Sequence, residues 1–159
     1  MSASSHTIRR VEEADLADLL GLMRAYCEFY AASPSDTDLM ALCRALLGDA
    51  DCEGVQLLAR DQAGRASGFA TVYWSWSTTS AYRIGVMNDL FVTQSARGQG
   101  LAEALIEASR TECANRSARS LRWQTAPENT RARAVYDRIG GIPSQWVDYS
   151  LPIKASPDA

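Results

Sequence analysis

The sequence predicts a mixed α/β fold, a mostly antiparallel sheet with helices on both faces, and three observations carry that reading. Extended, β-rich segments and segments of helical period follow one another in the order β-α-α-β-β-β-α-β-α-β. The three extended segments between residues 55 and 92 are joined by connections too short for a helical crossover, so they pair antiparallel. After them a glycine-flanked turn opens a helix that leads to one further strand, which makes a single parallel crossover.

In chain order, Thr7-Ile8-Arg9-Arg10-Val11 is a short strand, and Asp15 is placed to cap a helix in which Leu16, Leu19, Leu20, Met23, Cys27 and Tyr30 keep helical spacing. A loop from Ala31 carries Phe29 and Tyr30 at its edge. Ser35 or Asp36 caps a second helix, with Leu39, Leu42, Cys43, Leu46 and Leu47 on one face and Gly48 at its end. Val55 to Arg60 reads as a strand, Asp61-Gln62-Ala63-Gly64 as a turn, Ala66 to Ser77 as a long strand, and Tyr82 to Val92 as its partner. A helix from about Gly98 to Asn115, a strand over Ser120 to Thr125 and a helix from about Asn129 to Ile139 follow. Pro143 to Leu151, with Trp146 and Tyr149, is a last strand candidate. Residues 1–6 are expected to be a flexible N-terminus and 152–159 a tail, and no repeat or linker divides the 7–151 stretch into separate domains.

The totals restrict the chemistry. With 159 residues, a hydrophobic share of 47% and a charged share of 22%, the chain can bury an ordinary core without a staple. No apolar run approaches the ~20 residues that span a bilayer, and the start has no signal-peptide core, so the expectation is a cytoplasmic protein without membrane partners. A net charge of −3 gives no general attraction to nucleic acid. The four cysteines, Cys27, Cys43, Cys52 and Cys113, form no C-x-x-C pair and read as buried free thiols. His6 is the only histidine and Lys154 the only lysine, against fifteen arginines. Histidine-based nucleophiles, multi-histidine metal sites, a P-loop lysine and a Schiff-base lysine are therefore disfavoured, and no metal is expected.

The most informative stretch is Asn88-Asp89-Leu90-Phe91-Val92 followed by Arg97-Gly98-Gln99-Gly100-Leu101-Ala102. Gly98 and Gly100 lack a Cβ, so backbone N–H groups can approach a bound atom closely. Those amides are the unpaired donors of a helix start, whose dipole favours an anion such as phosphate. A dinucleotide fingerprint needs a third glycine or alanine where Glu103 stands, and a P-loop needs Gly-Lys-Ser/Thr, which is absent.

One strand later comes Asn129-x-x-Ala132-x-x-x-Tyr136. The two motifs in this order resemble the GCN5-related N-acetyltransferase family. Arg97, Gly100 and Ala102 match its Q/R-x-x-G-x-G/A pyrophosphate loop, and Asn129, Ala132 and Tyr136 its second cofactor motif. The resemblance implies acetyl-CoA as cofactor, a sheet of about six or seven strands, and a V-shaped slot where the strand before the loop carries a bulge and splays from the next. Leu90, Phe91 and Val92 would pair with the pantetheine arm, and Arg97, Gly98, Gln99, Gly100, Leu101 and Ala102 would hold the pyrophosphate.

The reaction so implied is direct attack of a primary amine on the thioester, through a tetrahedral intermediate. The Val92 N–H is the expected oxyanion donor and Tyr136 the proton or hydrogen-bond donor to the leaving thiolate. Asp89 is either the base for the acceptor ammonium or a structural carboxylate bonded to loop amides, and Glu28 is a second, weaker acid for the first role. Asn129 can cap its helix, meet a pantetheine amide, or do both. Phe29, Tyr30 and Trp74, with Trp76, Trp146 and Tyr149 as further aromatics, could line a pocket for a cationic acceptor or pack in the core. A homodimer is expected by analogy with many members. The rival reading is a catalytically silent acyl-CoA-binding sensor.

Overall fold

The computed structural model describes residues 6–153. Its elements are β1 (Thr7–Arg10), α1 (Leu16–Phe29), α2 (Asp36–Gly48), β2 (Gly54–Arg60), β3 (Ala66–Ser77), β4 (Tyr82–Val92), α3 (Leu101–Asn115), β5 (Ser120–Arg122) and α4 (Thr130–Arg138). The strands form one sheet in chain order, β1-β2-β3-β4-β5, antiparallel as far as β4 and parallel between β4 and β5. The expected mixed sheet is present with five strands among the described residues rather than six or seven.

The missing strand is the stretch from Pro143 to Leu151, which runs without a ladder partner. Trp146, Tyr149 and Leu151 stand 87–94% exposed, so the loose alternation that predicted a strand is real but finds no sheet edge within the chain. Residues 1–5 and 154–159 of the expected terminus and tail lie outside the described residues.

The sheet has two apolar faces because its central strands are apolar on both sides, which is the signature of burial between layers. On one face Leu58 and Phe69 pack with Leu19, Leu22 and Met23 of α1 and with Leu39 and Cys43 of α2. On the other, Val55, Leu57, Ala70, Val72 and Met87 pack with Leu101, Leu105, Ile106 and Cys113 of α3. A fully buried side chain such as Phe69 contributes about 2–3 kcal/mol. Gly85 lets α3 approach: a Cβ there would lie 2.4 Å from Cys113 Sγ. All four cysteines are free, and Cys52 departs from expectation by being exposed.

Capping corrects one reading. Ser35, not Asp36, caps α2, accepting from Asp38 N–H at 3.1 Å. Asp15 makes no side-chain cap to α1. Its carboxylate is 2% exposed and accepts instead from Arg9 (2.8 Å twice), Arg60 (2.8 Å) and the Glu12 N–H (2.9 Å), tying the end of β1 and the start of α1 to β2. Two arginines outbid the helix amides because charge-assisted, bidentate bonds are the stronger ones. No helix among the described residues is long and apolar enough to cross a membrane, and no cluster of three metal-ligating side chains occurs among them.

Candidate functional site

The site is made by a fault in the sheet. The β3–β4 register pairs Thr71 with Asp89 and then Val72 with Met87, so Asn88 is an extra, unpaired residue. Such a bulge bends its strand and increases its twist. On the other side of β4, pairing with β5 covers Ile84, Gly85 and Val86 against Ser120, Leu121 and Arg122, and stops there. From Met87 onward β4 parts from Trp123, Gln124 and Thr125, which leaves a slot between them.

Strand alternation fixes which backbone groups face that slot. Thr93 N–H donates to Ser67 O at 2.9 Å. In an antiparallel pair the bonded residues alternate, so Phe91 exchanges its bonds with Phe69, and the N–H and C=O groups of Leu90 and Val92 turn toward the slot. Arg97 Nε donates to the Val92 carbonyl at 3.2 Å, which agrees with that direction. Arg97, expected in the pyrophosphate loop, thereby also braces that loop against the end of β4.

At the slot's end, Gly98 and Gly100 both have φ of +76°, the left-handed region that glycine enters freely. Gly100 precedes α3 without any side-chain cap. Among the described residues, none of the amides from Gly98 to Glu103 donates to a protein acceptor, and a Cβ on either glycine would meet no protein atom within 4 Å. A row of unpaired amides opening onto free space at a helix start is what a phosphate requires. Gln99 Nε2 donates to Ser95 O at 3.0 Å, while the Leu101 side chain belongs to the core.

The opposite wall comes from β5 and α4. Asn129 caps α4, its Oδ1 accepting from Ala132 N–H at 3.2 Å, which leaves its amide nitrogen for other partners. Tyr136 lies edge to face with Trp123, centroids 5.2 Å apart. Burial, with Tyr30 nearby, holds its phenol above the usual range, so it is a proton carrier at neutral pH. Arg138 pairs with Glu103 and so ties α4 to the start of α3.

The slot continues into a cavity of about 370 Å³ that brings together Leu90, Phe91, Val92, Arg97, Ala102, Asn129, Ala132 and Tyr136, all expected site residues, with Phe29 and Tyr30 at its other end. Trp74 is not there: its indole N–H donates to Ala50 O at 2.9 Å and its ring packs with the α3-side core. It lies on the strand face opposite Phe69, which explains the difference. Trp76 is stacked under Arg83, 5.3 Å from the ring centroid, and Trp146 and Tyr149 stand in solvent. Sequence reasoning missed Tyr26 and gave Asn88 no role of its own, while Trp123, Gln124 and Thr125 belong to the strand from which the resemblance implied that β4 splays. Tyr26 had a signal, since it sits one helical turn before Tyr30.

Asp89 lies behind Tyr26 and Asn88, half-buried. Burial raises its carboxyl above the usual range, opposed in part by hydrogen bonds from Thr71, Asn88 and Tyr26. The Asn88 Nδ2 bond measures 3.0 Å. Tyr26 is itself raised, by burial and then by the charge of Asp89.

A bulged strand parting from its parallel neighbour, with a glycine loop and a free helix start at the mouth, matches known proteins. The model of the acetyltransferase (GNAT) family matches residues 19–141. The chain belongs to the GNAT family. It is 32% identical over 149 residues to the uncharacterized N-acetyltransferase YhfO of Bacillus subtilis (strain 168), covering 93% of this chain and 98% of that one. A crystal structure of a probable acetyltransferase superposes with a TM-score of 0.81 at 29% identity, covering 94% of this chain and 99% of the other. The aminoglycoside N-acetyltransferase AAC(6')-Iy in complex with CoA shares the fold, with a TM-score of 0.80 at 24% identity and coverage of 95% and 97%. This GNAT chain is thus an acetyl-CoA-dependent N-acetyltransferase.

Proposed function

We propose that the chain moves an acetyl group from acetyl-CoA to a primary amine by direct attack, with the β4–β5 slot as cofactor site and Tyr136 and Asp89 as its acid and base. The observation that carries this reading is the parting of β4 from β5 beyond Val86 and Arg122, which leaves the Leu90 backbone groups and the Val92 N–H without a strand partner beside the glycine loop. Acetyl-CoA, when bound, supplies the thioester that makes the acetyl group transferable.

The fit rests on this chain's own groups. The amides from Gly98 to Glu103 suit a pyrophosphate, and a chain of amides leaving that loop along β4 passes Val92 before it reaches Leu90. Val92 therefore suits a pantetheine contact. The Leu90 N–H, next to the Asn88 bulge and farther from the loop, is better placed than the expected Val92 N–H to hold the oxygen on which charge develops. A preorganised amide of this kind is worth a few kcal/mol to the transition state.

The Tyr136 phenol, neutral at pH 7, donates to the sulfur as the C–S bond breaks, and water returns its proton. Asp89 accepts one proton from the incoming ammonium, directly or through water, and the second proton, lost from nitrogen as the amide forms, is the one that water carries back to Tyr136. Its half-buried carboxyl sits above the usual range, where a base is useful near neutral pH.

Thiol release from acetyl-CoA, followed against a panel of primary amines, tests the reading. Saturable release with at least one amine supports it. Saturable acetyl-CoA binding with no release for any amine would leave the silent sensor.

A further inference from the structure

We propose that the acceptor is a monoamine whose amino group hangs from a flat apolar body, an arylalkylamine in chemical class, and that polycations are poor substrates. The inference rests on the acetyl-transfer reading and names the substrate of that same site. The cavity end away from the glycine loop is a run of edge-on rings. Tyr26 lies 5.0 Å from Tyr30, 5.8 Å from Phe69 and 6.2 Å from Phe91, and Tyr30 lies 5.0 Å from Phe29. The run begins at fully buried Phe69 and ends at Phe29 and Tyr30, which are 63% and 54% exposed. Two large rings left in water at a cavity mouth mark a surface that an apolar body covers.

Charge at this end is sparse. Asp89 stands just behind Tyr26 and Asn88, which line the cavity, and enters no ion pair among the described residues, so an ammonium that reaches it between them would be its counter-charge. Few other acids stand close by: Asp36 pairs with Arg24 and Asp38 accepts from the Ser35 hydroxyl, which leaves the exposed Glu28 of α1 to meet one further cation. The cations of the cavity are Arg97 and Arg131. A polyamine or aminoglycoside would bring several further ammonium groups against aromatic rings with only the exposed Glu28 to meet them, losing their hydration. A single ammonium at Asp89, flanked by ring faces, keeps its compensation.

The test compares kcat/KM for 2-phenylethylamine, spermidine and kanamycin, then repeats it with Phe29→Ala and Tyr30→Ala. Phenylethylamine is expected to lead by about tenfold or more, and each ring deletion to lower its kcat/KM several-fold through KM, with acetyl-CoA Kd unchanged. Turnover led by spermidine or kanamycin, or indifference to both ring deletions, overturns the proposal and leaves acetyl transfer standing. No release from any amine despite acetyl-CoA binding overturns the transfer reading and this one with it.

Discussion

The Tyr136 ring meets the Trp123 ring at 64° with centroids 5.2 Å apart, where β5 has just left β4. The contact joins α4 to the wall of the slot and orients the phenol without using its hydroxyl. Tyr136→Phe should therefore keep the ring contact and lose only the proton donor. We expect kcat to fall by roughly ten- to ten-thousand-fold while acetyl-CoA Kd, measured by calorimetry, stays within about twofold. A wild-type kcat would move the proton to water.

Asp89 gives a pH dependence with a definite sign. As a base it must be ionised, so kcat/KM should rise with pH through its raised pKa, and Asp89→Asn should abolish that limb along with most of the activity. Stability should run the other way. Because the folded state holds the Asp89 proton to higher pH than the unfolded chain, the contribution of this group falls as pH rises from the ordinary carboxylate value through the raised one. Urea titrations on either side of that window should show the difference, and the Asn variant should lack it.

Asp15 has the opposite linkage. Burial alone would raise its carboxyl, but bonds from Arg60, the Glu12 N–H and Arg9 hold it below the usual range. Its contribution is present above the unfolded value and is lost as pH falls through the lowered one. Asp15→Asn should cost about 2–3 kcal/mol at pH 7, read by urea denaturation, since it removes charge-assisted bonds that join β1, α1 and β2.

Gly100 and Gly64 share a left-handed backbone, with φ of +76° and +78° and open space around a Cβ. Alanine at either should cost about 1 kcal/mol of stability from backbone strain alone. Only Gly100→Ala should also weaken acetyl-CoA binding, because only there does the methyl enter the space the unpaired amides face. Equal Kd values for the two variants would detach the loop from the cofactor.

Much of this was legible in residue order. Helical spacing gave α1 and α2, and the short connections gave the antiparallel β2-β3-β4 sheet. The two motifs gave the loop and the α4 wall. Facing directions were not legible. Trp74 and Phe69 lie on opposite faces of β3, and only the register decides which looks toward α1. The Asn88 bulge leaves no mark in composition, since an inserted residue is defined by its partner strand. The stretch after Pro143 has a strand's alternation, but alternation does not say whose sheet it joins.

A structure determined with CoA tests the slot most directly. The pyrophosphate should lie against the amides of Gly98 to Glu103, the pantetheine arm along Leu90 and Val92, and the sulfur within hydrogen-bond reach of the Tyr136 hydroxyl. CoA bound elsewhere, or with its sulfur turned away from Tyr136 and Asp89, would contradict the assignment of this slot as the place of acetyl transfer.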